Sequence, residues 1–343
     1  MSHHWKIGIA LLCLAGAPAF AAAPQQPKPQ QPKEEKFEAY AEWRKTDLLI
    51  VDGQRVRWQS TAKFKGSGAA RNFTSIPMGF EVNVKGRRQP DGVLLATELE
   101  AKPNGNALFE GDAKAATSAM EAEWLKAGQI VETGPDGKKV SMGKLLTSGA
   151  DVDRVRRIVA RLVPPYLKPT AFRVYVVENK DWNAFACANG MIVVYNALLH
   201  ATTDDEIAIV LGHELVHTTH EHSRKQIKSS MGLQGLALGV ALGVSAGGGD
   251  PSTAAKAAGL ASNLALSAIQ NGYGRDAEDQ ADRAGLRYAF EGGFDVNKGP
   301  SLWNRFAEKY GSQDKVTNFF FGSHSRAVDR ARNLTREIAV NYK

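Results

Sequence analysis

The sequence predicts an α+β protein, a small all-β unit followed by a mainly helical domain that carries a small edge-stranded sheet. Between Phe37 and Gly149 apolar residues mostly alternate, the period of a half-buried strand. From Asp151 the period changes: Val152, Val155, Ile158, Val159, Leu162 and Val163 recur at helical spacing until Pro164-Pro165 stop the run. A chain of 343 residues also accommodates two domains more readily than one.

Composition narrows the functional classes. With 43% hydrophobic and 23% charged residues the chain is neither fibrous nor wholly disordered. The net charge of +7 comes from Lys and Arg scattered along the whole length, not gathered on one stripe, so no nucleic-acid partner is expected.

Residues 1–23 read as a signal peptide. Lys6 precedes the apolar run Ile7 to Leu14, and small residues permit cleavage after Ala21 or Ala23. Leu12 ahead of Cys13 does not fit a lipidation site. The expectation is an exported, soluble periplasmic protein with one cysteine, Cys187, buried beside Phe185 and Ala186. Residues 24–36, with Pro24, Pro27, Pro29 and Pro32 among glutamines and charges, read as a linker.

Within 37–149, Phe80, Val82 and Val84 alternate, then Pro90-Asp91-Gly92 turns into a strand from Val93 to Leu99. Asp136-Gly137 marks a second hairpin between Ile130-Val131 and Val140 to Met142, and one helix falls around Ala115 to Lys126. This pattern predicts a small β-barrel or sandwich, an accessory unit without a chemical site of its own. In 150–343 strands are expected at Ala171 to Val177 and Met191 to Tyr195, the latter an edge open to extended peptide. Thr203-Asp204-Asp205-Glu206 is a capping box opening a helix whose Ile207, Val210 and Leu211 face a core.

That helix carries Gly212-His213-Glu214-Leu215-Val216-His217. Residues four apart stack on one helix face, so His213 and His217 can present two imidazoles to one cation, with Glu214 turned toward water on it. This is the zincin motif. Of the six histidines beyond residue 23, four lie between His213 and His222. A catalytic zinc takes three protein ligands and keeps one open position, so a third ligand must come from elsewhere. Glu278 is the candidate, with Asp282 one turn later to orient a ligand histidine. The same spacing also fits a solvated charged helix face. His220 and His222 read as hydrogen-bonded or solvated helix-end histidines, with a second metal as the alternative.

Between the motifs, residues 228–272 read as a helical hairpin. Met231 to Ala246 and Ala254 to Ile269 span 16 positions each, short of the roughly 20 a membrane-crossing helix needs, with a turn at Gly247 to Ser252. Peripheral membrane contact through 231–269 is the functional alternative to packing on the domain.

Taken in order, Gly212 to His217, Glu278 with Asp282, and Ser323-His324 with Arg330 resemble the HtpX-like and CAAX prenyl protease type of zinc metallopeptidase, the gluzincins of family forty-eight. Asn183 to Ala186 and Gly190 to Val194 are similar to the segments preceding the zinc helix in that family, and the likeness covers about Asp151 to Leu334. It implies one zinc per chain on His213, His217 and Glu278, with Glu214 the base that activates water. It also implies that Asp282 hydrogen-bonds a ligand histidine, that His324 lies near the cleft, and that Arg330 holds the basic position after it. Ser325 stands where the family usually has proline, and the β unit has no counterpart in the better-known members. The expected activity is hydrolysis of peptide bonds in unfolded or misassembled envelope proteins. The competing class is an envelope chaperone or assembly factor of the same fold, with proteolysis weak or self-inhibited by His324. Oligomeric state is not legible.

Overall fold

The computed structural model describes residues 33–45, 47–103, 107–133, 138–164, 167–223, 225–227, 266, 272–310 and 327–342. The signal peptide, most of the linker, nearly all of the 228–272 hairpin with its membrane-contact stretch, the Asp136-Gly137 turn and His324 lie outside these residues.

Six strands form the first unit: β1 (Glu34–Lys45), β2 (Leu48–Val51), β3 (Gln54–Arg57), β4 (Lys63–Gly66), β5 (Glu81–Arg88) and β6 (Leu94–Lys102). Their order is β3-β2-β1-β5-β6-β4, and β3 also pairs with β6 along a short parallel seam at Val56↔Leu94 and Arg57↔Leu95. The sheet therefore closes on itself as a five-stranded barrel with β4 attached, which removes most open edges. Val51, Val56, Val82, Val84, Leu94 and Leu99 fill it and are inaccessible to solvent. The strands expected around Phe80 to Val84 and Val93 to Leu99 are β5 and β6. β1 begins at Glu34, three residues inside the expected linker, because Glu34 to Lys36 pair with Arg87 to Lys85.

The second sheet has the order β10-β11-β9-β8-β7, built from β7 (Gln129–Thr133), β8 (Lys139–Leu146), β9 (Arg173–Glu178), β10 (Ala184–Ala186) and β11 (Met191–Tyr195). Two expectations change here. The hairpin β7–β8 and helix α1 (Ala107–Ala127), read as parts of the first unit, belong to this sheet, since β8 pairs with β9 at Leu145↔Val177 and Leu146↔Val176. The division between units thus lies near residue 103, not at 149. And β11 is interior, flanked by β9 and β10, so among the described residues the outermost strand at that end is β10.

Both faces of this sheet are dry along β9 and β11. Side chains alternate along a strand: Val174, Val176, Ile192 and Val194 pack toward α2 (Ala150–Leu162) and the zinc-motif helix, whereas Tyr175, Val177, Met191 and Val193 pack with Met120 and Trp124 of α1. Cys187 lies on the α1 side, fully buried, and burial pushes its thiol pKa up. α2 buries the five apolar positions from Val152 to Leu162 that its periodicity marked.

Among the described residues five further helices follow: α3 (Asn196–His200), α4 (Asp204–Thr219), α5 (Arg275–Glu291), α6 (Gly299–Tyr310) and α7 (Ala327–Asn341). The Thr203 capping box is present, with Thr203 Oγ1 accepting from the Glu206 amide and Glu206 Oε2 from the Thr203 amide at 2.9 Å. Arg154 of α2 fixes the preceding turn by donating to Leu199 O at 2.6 Å and Thr202 O at 2.7 Å. Among the described residues no helix is long and apolar enough to cross a membrane.

One polar cluster ties α1 to the sheet. Arg173 grips Glu121 with two hydrogen bonds of 2.6 Å, and the Tyr175 hydroxyl donates to the same carboxylate at 2.7 Å. Burial would raise the Glu121 pKa, but the bonds from Arg173 and Tyr175 outweigh it and hold it below the ordinary value. A lowered carboxylate contributes stability above its unfolded pKa and loses it as pH falls through the folded one. Glu121→Gln is therefore expected to cost about 1 kcal/mol at pH 7, given the part exposure of Arg173. Thermal melts at descending pH check this: the gap to the unmutated protein should close on acidification below about pH 4, the usual carboxylate range.

Candidate metal centre

The site is built where two helices touch backbone to backbone. A Cβ added to Gly212 on α4 would stand 2.4 Å from Gly285 O, and one added to Gly285 on α5 would stand 2.5 Å from the His213 amide nitrogen. Only glycine at both positions lets the axes approach this closely. Gly285 lies three and seven residues after Asp282 and Glu278, so the helical repeat sets all three on one face of α5. The contact therefore delivers both carboxylates to His213.

His213, His217 and Glu278 come together as expected, each with 1% exposure or less. The two Nε2 atoms are 3.0 Å apart; Glu278 Oε2 lies 3.4 Å from His213 Nε2, and Glu278 Oε1 lies 3.4 Å from His217 Nε2. With zinc–nitrogen bonds of about 2.0–2.1 Å and tetrahedral angles, donor atoms sit roughly 3.3 Å apart. The three donors match one face of such a tetrahedron, and their chemistry, two imidazoles and a carboxylate, suits zinc. The reading of Glu278 as part of a solvated surface does not hold, because the contact with α4 buries it.

Asp282 and Arg330 stand behind His213. Asp282 Oδ1 is 2.8 Å from His213 Nδ1, and Arg330 Nε donates to both Asp282 oxygens at 3.0 Å. The Arg330 guanidinium in turn lies over the Trp303 ring, 3.5 Å from its centroid, so a fully buried cation has both a counter-ion and an aromatic face. Burial would raise the Asp282 pKa, but the Arg330 charge and the His213 bond hold it low. An ionised Asp282 accepts the Nδ1 proton of His213 and leaves the Nε2 lone pair aimed at the other donors.

His217 has a different set of supports. Its ring stacks on Tyr273, centroids 3.8 Å apart and planes at 14°, and its Nδ1 is 3.0 Å from His222 Nδ1. His222 Nε2 lies 3.0 Å from Gln280 Oε1. His220 and His222 are thus buried, not solvated, and burial lowers both their pKa values, that of His222 to about 4. Neither belongs to the donor cluster. Glu214, between the ligands on α4, is 1% exposed. Tyr273, Trp303 and Gly285 join the site without belonging to any of the motifs in the sequence. Gly285 had a signal, its place on the Glu278–Asp282 face, whereas Tyr273 follows the hairpin with no periodic pattern.

Without metal, burial and the Arg330 charge oppose a proton on His213, but Asp282 and Glu278 prevail and push its pKa up to about 9. A proton then occupies the place of the cation. Zinc binding at pH 7.5 is expected to expel that proton, a release seen as acidification in weak buffer and absent above about pH 10, beyond the raised pKa. Gly285→Ala should force the helices apart, lower stability by about 3 kcal/mol, and weaken zinc binding; melts and a chelator competition read both.

Comparison with known proteins agrees with this geometry. The model of peptidase family M48 matches residues 150–338, and that of a domain of unknown function, DUF5666, matches residues 42–100 of the barrel. Metalloprotease YcaL of Escherichia coli is 30% identical over 232 residues, 68% of this chain and 82% of that protein. Metalloprotease LoiP of the same organism is 34% identical over 175 residues, 51% of this chain and 65% of that one. A beta-barrel assembly-enhancing protease of Yersinia pestis is 32% identical over 145 residues, 41% of this chain and 29% of that protein. Against several relatives the match spans only about a third of the relative's own length. With a family model covering more than half its residues, the chain belongs to peptidase family M48.

Proposed function

We propose that this protein is an exported zinc endopeptidase that hydrolyses unfolded or misassembled envelope polypeptides. The observation that carries the proposal is the buried cluster of His213, His217 and Glu278 with Glu214 beside it on the same helix. Membership of a peptidase family supports a polypeptide substrate. The envelope assignment draws on the expected signal peptide and on a relative named for enhancing beta-barrel assembly.

His213, His217 and Glu278 would hold a zinc ion, which would supply Lewis acidity toward the scissile carbonyl and toward water near neutral pH. The remaining steps belong to the chain. Glu214 takes the proton of the attacking water and returns it to the leaving amine. Asp282 keeps His213 in the tautomer that binds through Nε2, and Arg330 holds Asp282 ionised. For His324, which lies outside the described residues, the family resemblance implies a role toward the oxygen that gains charge as the carbonyl is attacked. An extended substrate would add to β10 by backbone hydrogen bonds, which bind many sequences alike. β10 runs beside the motif helix, since Thr218, next to His217, donates to Cys187 O at 3.2 Å.

The test is zinc content and cleavage of unfolded casein by residues 24–343, beside Glu214→Gln. Both proteins are expected to hold one zinc per chain, with cleavage by the variant down by at least about 10²-fold. Zinc in both with cleavage by neither would favour the chaperone or self-inhibited reading and make His324→Ala the next variant. No zinc in either would sink the metal assignment.

A further inference from the structure

The barrel reaches into the metal site through one strand. Tyr40 and Glu42 alternate on the face of β1 that meets α4 and α5, and Glu42 is wholly inaccessible to solvent. Tyr40 donates to Glu221 Oε2 at 2.7 Å, and Glu221 holds a left-handed φ of +63° just past the end of α4. Such a φ is uncommon for a side-chain-bearing residue, and it follows the helix end where His222 turns back to His217. Two residues along, Glu42 accepts from Arg283 of α5 at 2.9 and 3.1 Å and from Gln280 Nε2 at 3.3 Å.

The direction of the hydrogen bonds beyond Glu42 follows from its charge. A carboxylate paired with Arg283 only accepts, so Gln280 turns its amide N–H groups to Glu42 and its carbonyl to His222. That carbonyl requires the proton of His222 to sit on Nε2, which leaves Nδ1 as an acceptor. His217 must then donate from Nδ1, and its Nε2 lone pair points to Glu278 and His213. The order Glu42, Gln280, His222, His217 admits only this polarity. Asp282 does the same for His213 in a single step; the series behind His217 ends on a carboxylate of the other unit.

We infer that the barrel is a working part of the metal centre: Glu42, through Gln280 and His222, is a positioning residue that fixes the tautomer and orientation of the metal ligand His217. The inference rests on the metal assignment above. It gives the β unit, expected from sequence to be an accessory module, a defined chemical task.

Zinc affinity by competition with a chelating dye, together with the visible spectrum of the Co²⁺-substituted protein, tests it on the full chain. Gln280→Leu cuts the relay while sparing the Glu42–Arg283 pair, and Glu42→Leu removes its anchor. Each should weaken zinc binding by about 10-fold or more, the scale found for outer partners of metal ligands, and alter the Co²⁺ spectrum. The double variant should be no weaker than the weaker single, since both cut one chain. Arg287→Met, which removes a different barrel contact, the guanidinium 4.9 Å from the Trp43 ring, should lower the melting temperature with affinity and spectrum unchanged. Wild-type affinity in Gln280→Leu overturns the inference even if Glu42→Leu does not fold. So do multiplying losses in the double variant, or an equal loss in Arg287→Met. Absence of metal from the unmutated protein would instead fail the metal assignment itself.

Discussion

The closeness of α4 and α5 at Gly212 and Gly285 is the constraint on which the site depends. Two helices packed through ordinary side chains keep their axes about 8–10 Å apart, and at that distance a glutamate on one does not share a cation with two histidines of the other without reaching through its neighbours. With bare backbone in contact, short side chains suffice, and they suffice while buried. Burial then removes water from the carboxylates, so every remaining interaction among them strengthens. The cost is that each charge needs a partner from the protein. Arg330 over Trp303 answers Asp282, and Arg283 answers Glu42.

The two ligand histidines are supported by unequal means. His213 has a carboxylate within one bond, and that carboxylate belongs to the helix that also provides Glu278. His217 leans on Tyr273 across its face and on a series of neutral groups behind it. Neutral partners transmit direction without adding charge. The asymmetry leaves the site with charge directly behind His213, on the Asp282 side, and with neutral groups between His217 and the Glu42–Arg283 pair toward the barrel.

Much of this was legible in the sequence because the features were local. The helix period of Val152 to Leu162, the Thr203 capping box and the four-residue spacing of His213 and His217 each lie within a few turns, and each appears where expected. Glu278 and Asp282 lay 61 and more positions further on, and motif order identified them; spacing alone left them on a solvated face. What escaped depends on pairing between distant segments. β7 and β8 look alike whether they close a barrel or extend another sheet, and only Leu145 opposite Val177 decides it. β11 reads as an edge in the sequence because its apolar run does not reveal the three-residue β10 beside it. Burial of His220 and His222 is set by Tyr40 and Gln280, neither of which stands near them in the chain.

The sheet beside the site has two dry faces along β9 and β11, and the helix covering the outer one is encoded before residue 150. Met120 and Trp124 of α1, with Glu121 gripped by Arg173, shield Tyr175, Val177, Met191 and Val193. The segment matched by the peptidase family begins at residue 150. The stretch of chain that inheritance marks out and the stretch that can fold thus have different borders. A fragment cut at the family border would keep every metal donor and lose the cover that keeps the far side of their sheet out of water.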